Sequence, residues 1–358
     1  MLPPIPSTVD VVRRARRPWR SAALLSTLLA AACSTLEPRV LAPPEPASFT
    51  YDDLGRILGR VVDRNGLVDY AALAADPTDL ERHYARLAAT SPDSHPERFP
   101  TLESRLAYWV NAYNAAVLTA VVRRWPLGSV RDVPPPLLGF FVRQRVLLGG
   151  RKVSLRELEN GIVRKRFDEP RIHFALNCAS LGCPRLPPAP FTAARLDAEL
   201  DRETRRFVAA PRNVRVDRAG GVVHLSAIFD WYGDDFTGWL RRHRPGVRPT
   251  LLSYVHLYAG EELRAALEGC DRCRVEFIEP TGPSTRVRPA TAGRPDKETS
   301  HDQDPAHAPR PRRRPRRRHR LFRALLERRR CPAGHHVPVR RPRRPSQGGL
   351  RTTAGAVT

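Results

Sequence analysis

Apolar residues recur at helical spacing over most of residues 51–279. The strongest pattern covers residues 102–124, where apolar side chains return every three or four positions until Trp125-Pro126 ends the segment. Ser154 and Glu157 have the spacing of a capping box, which predicts a further helix to about residue 166. The remaining helical patterns lie at residues 51–64, 79–89, 193–208, 225–232, 235–242 and 250–267.

Strand patterns are short and come mostly in pairs. Residues 145–153 and residues 213–225 each turn at a Gly-Gly pair, so both predict β-hairpins. Residues 171–177 alternate apolar with other side chains and predict a strand, and residues 274–277 predict a last short one. Helices around hairpin-linked strands predict an α+β fold, with a single domain at residues 49–279 whose helices pack around a small, mainly antiparallel sheet.

The first 32 residues predict a signal peptide. Five arginines precede an apolar run at residues 21–32 that is too short to span a bilayer. The run ends in small residues followed by Cys33, which resembles the lipobox of bacterial lipoproteins, although alanine replaces the favoured leucine three residues before the cysteine. We predict that Cys33 is lipidated and anchors the chain in a membrane of the cell envelope. Ser34 after it favours the outer membrane, facing the periplasm. Ordinary cleavage after Ala32, which gives a soluble periplasmic protein, is the alternative.

Two segments outside the body have compositions that do not build a core. Residues 33–48 are proline-rich and predict an extended tether between the anchor and the body. Residues 280–358 carry 21 lysines and arginines against 5 acidic residues, which is +16 of the formal charge of +24. This composition predicts a disordered tail that contacts anionic lipid or lipopolysaccharide. No nucleic-acid partner is expected, because the chain carries an export signal and the tail lacks stacking aromatics. A shifted reading frame is the alternative origin of the tail.

Candidate chemistry is concentrated in the segment RIHFALNCASLGCP, near the middle of the folded part. It contains His173, Cys178 and Cys183, and a thiol nucleophile needs a nearby base together with a group that orients that base. With Glu159 or Asp235 orienting the imidazole, these residues predict thiol-dependent chemistry on a peptide, amide or disulfide bond. The alternative is a structural Cys178–Cys183 disulfide in a binding or scaffolding protein. The residues alone leave open whether the chain is an enzyme.

Other polar and aromatic residues are candidate binding groups, and no cofactor is predicted. Cys270 and Cys273 raise the number of cysteines in the body to four. Two local disulfides are the simplest pairing of these four, and a zinc site with four thiolate ligands is the alternative. The residues predicted to contact a ligand are Asn111, Asn114, Trp231 and Asp235.

Several motifs together resemble one protein family. They are YWVNAYNA at residues 108–115, RIHFALNC at residues 171–178 with the following Cys183-Pro184, and LSAIFDWY at residues 225–232. In order and spacing they are similar to bacterial members of the domain of unknown function 547 family, over most of residues 51–279. The resemblance implies no settled activity. Some plant relatives are joined to glutaredoxin-like modules, which hints at thiol chemistry.

Overall fold

The computed structural model describes residues 34–44, 48–136, 138–180, 182–270 and 273–278. The predicted signal peptide, Cys33 and the basic tail at residues 280–358 lie outside this range. Within it, the α+β prediction is confirmed, because helices surround two small three-stranded sheets. No helix in this part of the chain is both long enough and apolar enough to cross a bilayer.

The predicted helices are present, but the pattern missed several helical segments, among them the π-helical Gly139–Arg143. Helix α2 (Tyr70–Ala75) was also not predicted. The predicted helix at residues 250–267 is divided in two because the backbone is extended at Ala259 and Gly260. Helix α5 covers residues 155–166 and is π-helical over Leu158–Val163. The other helices are α1 (Asp52–Val61), α2 (Tyr70–Ala75), α3 (Thr78–Ala89), α4 (Leu102–Val122), α6 (Leu196–Ala209), α7 (Ala227–Trp231), α8 (Gly233–His243), α9 (Leu251–Tyr258) and α10 (Glu261–Glu268).

Helix α4 forms the centre of the larger hydrophobic core. It begins at a capping box in which Thr101 and Ser104 exchange side-chain and backbone hydrogen bonds. All residues from Leu106 to Val121 are buried, which this stretch tolerates because it contains no charged side chain. The helix therefore packs on all its faces, and the polar groups on it must find partners inside the protein.

Each sheet consists of a hairpin joined by a parallel third strand, so both predicted hairpins and the last predicted strand are confirmed. The strands form two mixed sheets rather than one mainly antiparallel sheet. In the first sheet β2 (Arg145–Leu148) lies between antiparallel β3 (Arg151–Ser154) and parallel β1 (Thr35–Leu36). In the second sheet β5 (Val222–Ser226) lies between antiparallel β4 (Val214–Asp217) and parallel β6 (Arg274–Ile278).

The predicted strand at residues 171–177 is wrong. Pro170–Phe174 is a 3-10 helix, and the Glu169 carboxylate accepts a hydrogen bond from the backbone N–H at its start. The apolar alternation has another origin, because Ile172 packs into the larger core and Phe174 into the smaller one. The segment lies between two cores and needs no sheet partner to bury its apolar side chains.

The start of the described chain also differs from the prediction of an extended tether. The Ser34 carbonyl accepts a hydrogen bond from the backbone N–H of Arg145 at 2.7 Å. Leu36 is only 6% exposed, and its carbonyl accepts from the Tyr84 hydroxyl at 2.6 Å. Residues 34–37 are therefore part of the folded body, because a parallel strand and a buried leucine fix them to it.

Candidate functional site

A half-buried charged cluster joins α5, the 3-10 helix Pro170–Phe174 and α8. His173 Nε2 lies 2.7 Å from Asp235 Oδ2. Arg164 donates two hydrogen bonds to the same carboxylate, at 2.7 and 2.8 Å. The structure thus brings together His173 and Asp235, which the sequence analysis had linked, and adds Arg164, which it had missed.

Burial determines the protonation state of His173, whose side chain is 1% exposed. Burial lowers the pKa of the imidazole, although the hydrogen bond with Asp235 acts in the opposite direction. For Asp235, burial alone would raise the pKa, but hydrogen bonds from His173 and Arg164 outweigh burial and hold the pKa well below its usual range. A carboxylate only accepts hydrogen bonds, so the neutral imidazole carries its proton on Nε2 and donates it to Asp235.

Tyr232 connects this pair to Glu159. Its ring stacks on the His173 imidazole with centroids 3.8 Å apart, and the Arg164 guanidinium lies 4.8 Å from the Tyr232 ring centroid. The Tyr232 hydroxyl donates a hydrogen bond to Glu159. Burial and the neighbouring charge of Glu159 raise the pKa values of Tyr232 and Tyr113 well above the ordinary phenol value. Both phenols therefore keep their protons and act as donors to Glu159.

The π-helical part of α5 explains how Glu159 and Arg164 both reach Tyr232. Residues five apart in a regular α-helix point about 140° apart around the helix axis. In a π-helix the hydrogen bonds connect residues five apart, so such residues lie nearly above one another. The π-helical Leu158–Val163 therefore aligns the two side chains, and π-helical turns of this kind occur frequently at functional sites. Periodicity based on 3.6 residues per turn could not have indicated this alignment.

The four cysteines of the body form two local disulfides, Cys178–Cys183 and Cys270–Cys273. The simplest predicted pairing is confirmed, and the cysteines predicted as nucleophiles are bonded to each other. Asn177 shapes the first loop, since its side chain donates to the carbonyl after Cys183 at 2.7 Å and accepts from the N–H after Cys178 at 2.9 Å. Within the described residues, no group of three or more His, Cys, Asp or Glu side chains is placed to hold a metal ion.

The side chains of Asn111 and Asn114 are both hydrogen-bonded to backbone groups. The Asn111 amide donates to the Phe191 carbonyl at 2.7 Å and accepts from the Phe191 N–H at 3.0 Å. The Asn114 amide donates to the Ala175 carbonyl at 3.0 Å and accepts from the Asn177 N–H at 2.9 Å. Asn114 thus attaches residues 175–177, before the disulfide loop, to α4, and Asn111 attaches Phe191, after the loop, to the same helix. The structure thus shows them holding the backbone, and their predicted contact with a ligand stays a prediction.

A cleft of about 380 Å³ lies beside the charged cluster. Asp235 and Arg164 contribute to its wall, and Trp231, which is 43% exposed, does not line it. The lining contains four basic and three acidic side chains, so its charges nearly balance. These side chains are Arg164, Lys165, Arg166, Arg242, Asp168, Glu169 and Asp235.

Asp235→Ala is expected to lower the free energy of unfolding by about 2 kcal/mol. Loss of one member of a buried ion pair costs about 3–5 kcal/mol, because the other charge stays buried and unpaired. The Asp235 side chain is 29% exposed, so solvent screening reduces this cost. Urea unfolding measures the change.

The control is Asp230→Ala, which removes an exposed carboxylate from α7 and should change the free energy of unfolding by less than about 0.5 kcal/mol. Equal losses in both variants would contradict the role given to Asp235.

One family model matches part of the chain. Residues 98–208 match the family model for Protein of unknown function, DUF547. The matched range includes α4, α5 and both cysteines of the first disulfide, whereas Tyr232 and Asp235 lie beyond it. The resemblance seen in the sequence motifs is therefore confirmed for this range. No curated protein and no solved structure matches the chain.

Proposed function

We propose that this protein is an exported lipoprotein of the cell envelope whose folded domain acts by binding or scaffolding. The Cys178–Cys183 disulfide carries the proposal, because it leaves no thiol in the segment where a nucleophile was predicted. Disulfides persist in oxidising compartments such as the bacterial periplasm, where the signal peptide would direct the chain. In this proposal the two cysteines stabilise a loop.

The environment of the other predicted catalytic groups supports a structural role for them. A general base must come within hydrogen-bond reach of the proton that it removes. The His173 side chain is 1% exposed, and its Nε2–H is bonded to Asp235. Glu159 accepts the Tyr232 hydroxyl proton in a hydrogen bond. These contacts connect α5, the 3-10 helix and α8, and they leave His173 little access to a substrate.

Thiol-dependent chemistry on a peptide, amide or disulfide bond is the second candidate function. One observation favours it: Cys178 is partly exposed, whereas Cys183 is 6% exposed. An external thiolate could attack Cys178 Sγ, form a mixed disulfide with it and release Cys183 as the thiolate. A peptide or amide bond would be attacked only after reduction of this disulfide. Both reactions therefore depend on whether the bridge opens in the folded protein.

The partner of the domain is proposed from the charges of the cleft. Its lining of basic and acidic side chains fits a polar peptide better than an apolar ligand, because half-buried charges need complementary partners. The anchor, by contrast, is proposed from the sequence, in which Cys33 and Ser34 indicate the outer membrane. The basic tail would add contacts with anionic lipid or lipopolysaccharide.

The disulfide provides the test of the proposal. We expect peptide mapping by mass spectrometry without reduction to find the Cys178–Cys183 bridge, and we expect neither cysteine to react with a thiol probe at pH 7. The double variant Cys178→Ala/Cys183→Ala should lower the free energy of unfolding by about 2 kcal/mol, the value expected for a short loop.

Cys270→Ala/Cys273→Ala is the matched control, because it removes the other local bridge. Hydrogen exchange of residues 175–184 should rise in the first double variant and stay unchanged in the control. Rapid labelling of Cys178 in the untreated protein would refute the structural role and favour the thiol-dependent function.

A further inference from the structure

We infer that the first sheet holds the folded body directly against a lipid bilayer, with Val40 and Leu41 entering the headgroup layer. The inference rests on the proposed lipidation of Cys33. It goes beyond that proposal because it assigns a membrane-contacting surface to the folded domain itself. The contact is formed by residues 39–41, which follow strand β1.

The chain is attached to the folded body immediately after Cys33. Ser34 accepts a backbone hydrogen bond from Arg145 at 2.7 Å, and the Gln144 side chain donates to the same carbonyl at 2.8 Å. A free tether of fifteen residues could extend about 50 Å, whereas one residue extends about 3.5 Å. An acyl chain on Cys33 would therefore hold the body at the membrane surface and not at a distance from it.

The chain also follows a fixed path beyond β1. Arg123 donates to the Glu37 carbonyl at 2.6 Å, and Lys152 lies 2.9 Å from the Glu37 carboxylate. These bonds extend the attachment past the strand. Leu41 follows Ser34 by seven residues, so its backbone lies within about 25 Å of the anchored end.

This segment carries an exposed apolar surface. Leu41 is 94% exposed and Val40 is 45% exposed, and among the described residues only Leu102 and Trp231 are other large hydrophobic side chains with comparable exposure. Arg39 precedes them with a side chain that is 60% exposed and lies 3.9 Å from the Glu81 carboxylate. Apolar side chains next to a cation are the combination that binds at the interface of an anionic bilayer.

The size of this surface favours lipid over a protein partner. A stable protein interface buries about 800 Å² on each partner, which is much more than two neighbouring side chains can provide. A bilayer needs no matching shape, and the acyl chain on Cys33 would already hold the segment beside it. Insertion of two apolar side chains would then add to the hold of the acyl chain, because binding at the interface increases with the apolar area that is buried.

Thiol labelling tests this contact, because the four body cysteines are disulfide-bonded and Cys33 would be acylated. Leu41→Cys and the matched control Leu102→Cys are each made in the full chain with Cys331→Ala, which removes the cysteine of the basic tail. Each acylated protein is reconstituted in liposomes that contain anionic phospholipid and is treated with a membrane-impermeant maleimide. The same chain beginning at Ser34, mixed with the same liposomes, provides the reference rate.

We expect acylation to slow the labelling of Leu41→Cys about tenfold and to change the labelling of Leu102→Cys less than twofold. Mass spectrometry shows whether Cys33 carries lipid. If it does and Leu41→Cys is labelled at the same rate in the acylated and the reference protein, the proposed membrane contact is wrong and the proposed lipid anchor stands. A mature protein that lacks lipid on Cys33 would overturn both the anchor and the surface.

Discussion

Asn114→Ala is expected to lower the free energy of unfolding by about 3 kcal/mol. Asn114 is 4% exposed, and its amide pairs with the Ala175 carbonyl and the Asn177 N–H. Alanine would leave both backbone groups unpaired in the interior, and each unpaired buried polar group costs about 1–3 kcal/mol. A single side chain thus replaces the two sheet partners that residues 175–177 would otherwise need. Urea unfolding of the purified domain measures the loss.

The control for this prediction is Asn65→Ala, which makes the same chemical change at an exposed asparagine. It should alter stability by less than about 0.5 kcal/mol. A second readout locates the effect, because Asn177 continues the network into the disulfide loop. Hydrogen exchange at residues 176–183 should become faster in Asn114→Ala and stay unchanged in Asn65→Ala. A stability loss without faster exchange in that loop would place the role of Asn114 elsewhere.

The helices and hairpins could be predicted because their signals are local. The apolar spacing of α4, its proline-marked end and the two Gly-Gly turns each act within a few residues of the chain. The strand prediction at residues 171–177 failed because two different cores bury Ile172 and Phe174, which imitates the alternation of a sheet. Backbone that is hydrogen-bonded by a distant asparagine leaves no periodic signal near itself.

The candidate site could be predicted only in part. His173, Asp235 and Glu159 were identified from residue type and motif, and the structure places all three around Tyr232. Arg164 was missed because the π-helical segment of α5 changes which residues share a face. The pairing of the cysteines was left open by the sequence, since short spacing permits either a disulfide or two thiols.

The proline-rich composition of residues 33–48 does not indicate that part of this segment folds onto the body. Its prolines predicted an extended tether, yet Leu36 is buried and its carbonyl bonds to Tyr84. The Tyr84 hydroxyl in turn accepts from the Leu147 N–H at 3.0 Å, so a side chain of α3 joins two strands of the first sheet. Two strand residues are too few to give an alternating pattern, and the partner strand lies more than a hundred residues away. Because this short strand pairing fixes residues 34–36 to the body, we propose that the segment holds the body at the membrane and does not act as a long tether.

Protonation of His83 is expected to lower the free energy of unfolding by about 3 kcal/mol as the pH falls from 7 to 4. Its side chain in α3 is 0% exposed, and neither ring nitrogen has a hydrogen-bond partner within the described part of the chain. The rings of Phe49 and Tyr51 lie 6.2 and 6.3 Å from the imidazole. Burial lowers the pKa of His83 to about 4, although the charge of Asp53 acts in the opposite direction.

The sign of this effect follows from the two protonation equilibria of His83. The unfolded chain binds a proton on this residue as the pH falls through its ordinary pKa of 6.5, whereas the folded protein binds it only near pH 4. The stability contribution is therefore complete above pH 6.5, declines between these values and stays constant below pH 4. The gap between the two pKa values corresponds to about 3 kcal/mol.

Urea unfolding at intervals between pH 7 and pH 4 measures this decline. Between pH 7 and pH 4 the free energy of unfolding of His83→Phe should fall by about 3 kcal/mol less than that of the unmodified protein. His256→Phe changes a partly exposed histidine in α9 and should keep the original slope. The comparison uses the slope with pH, so a different starting stability of His83→Phe does not affect it. An unchanged slope in His83→Phe would show that other groups cause the acid sensitivity, because a phenylalanine ring cannot take up a proton.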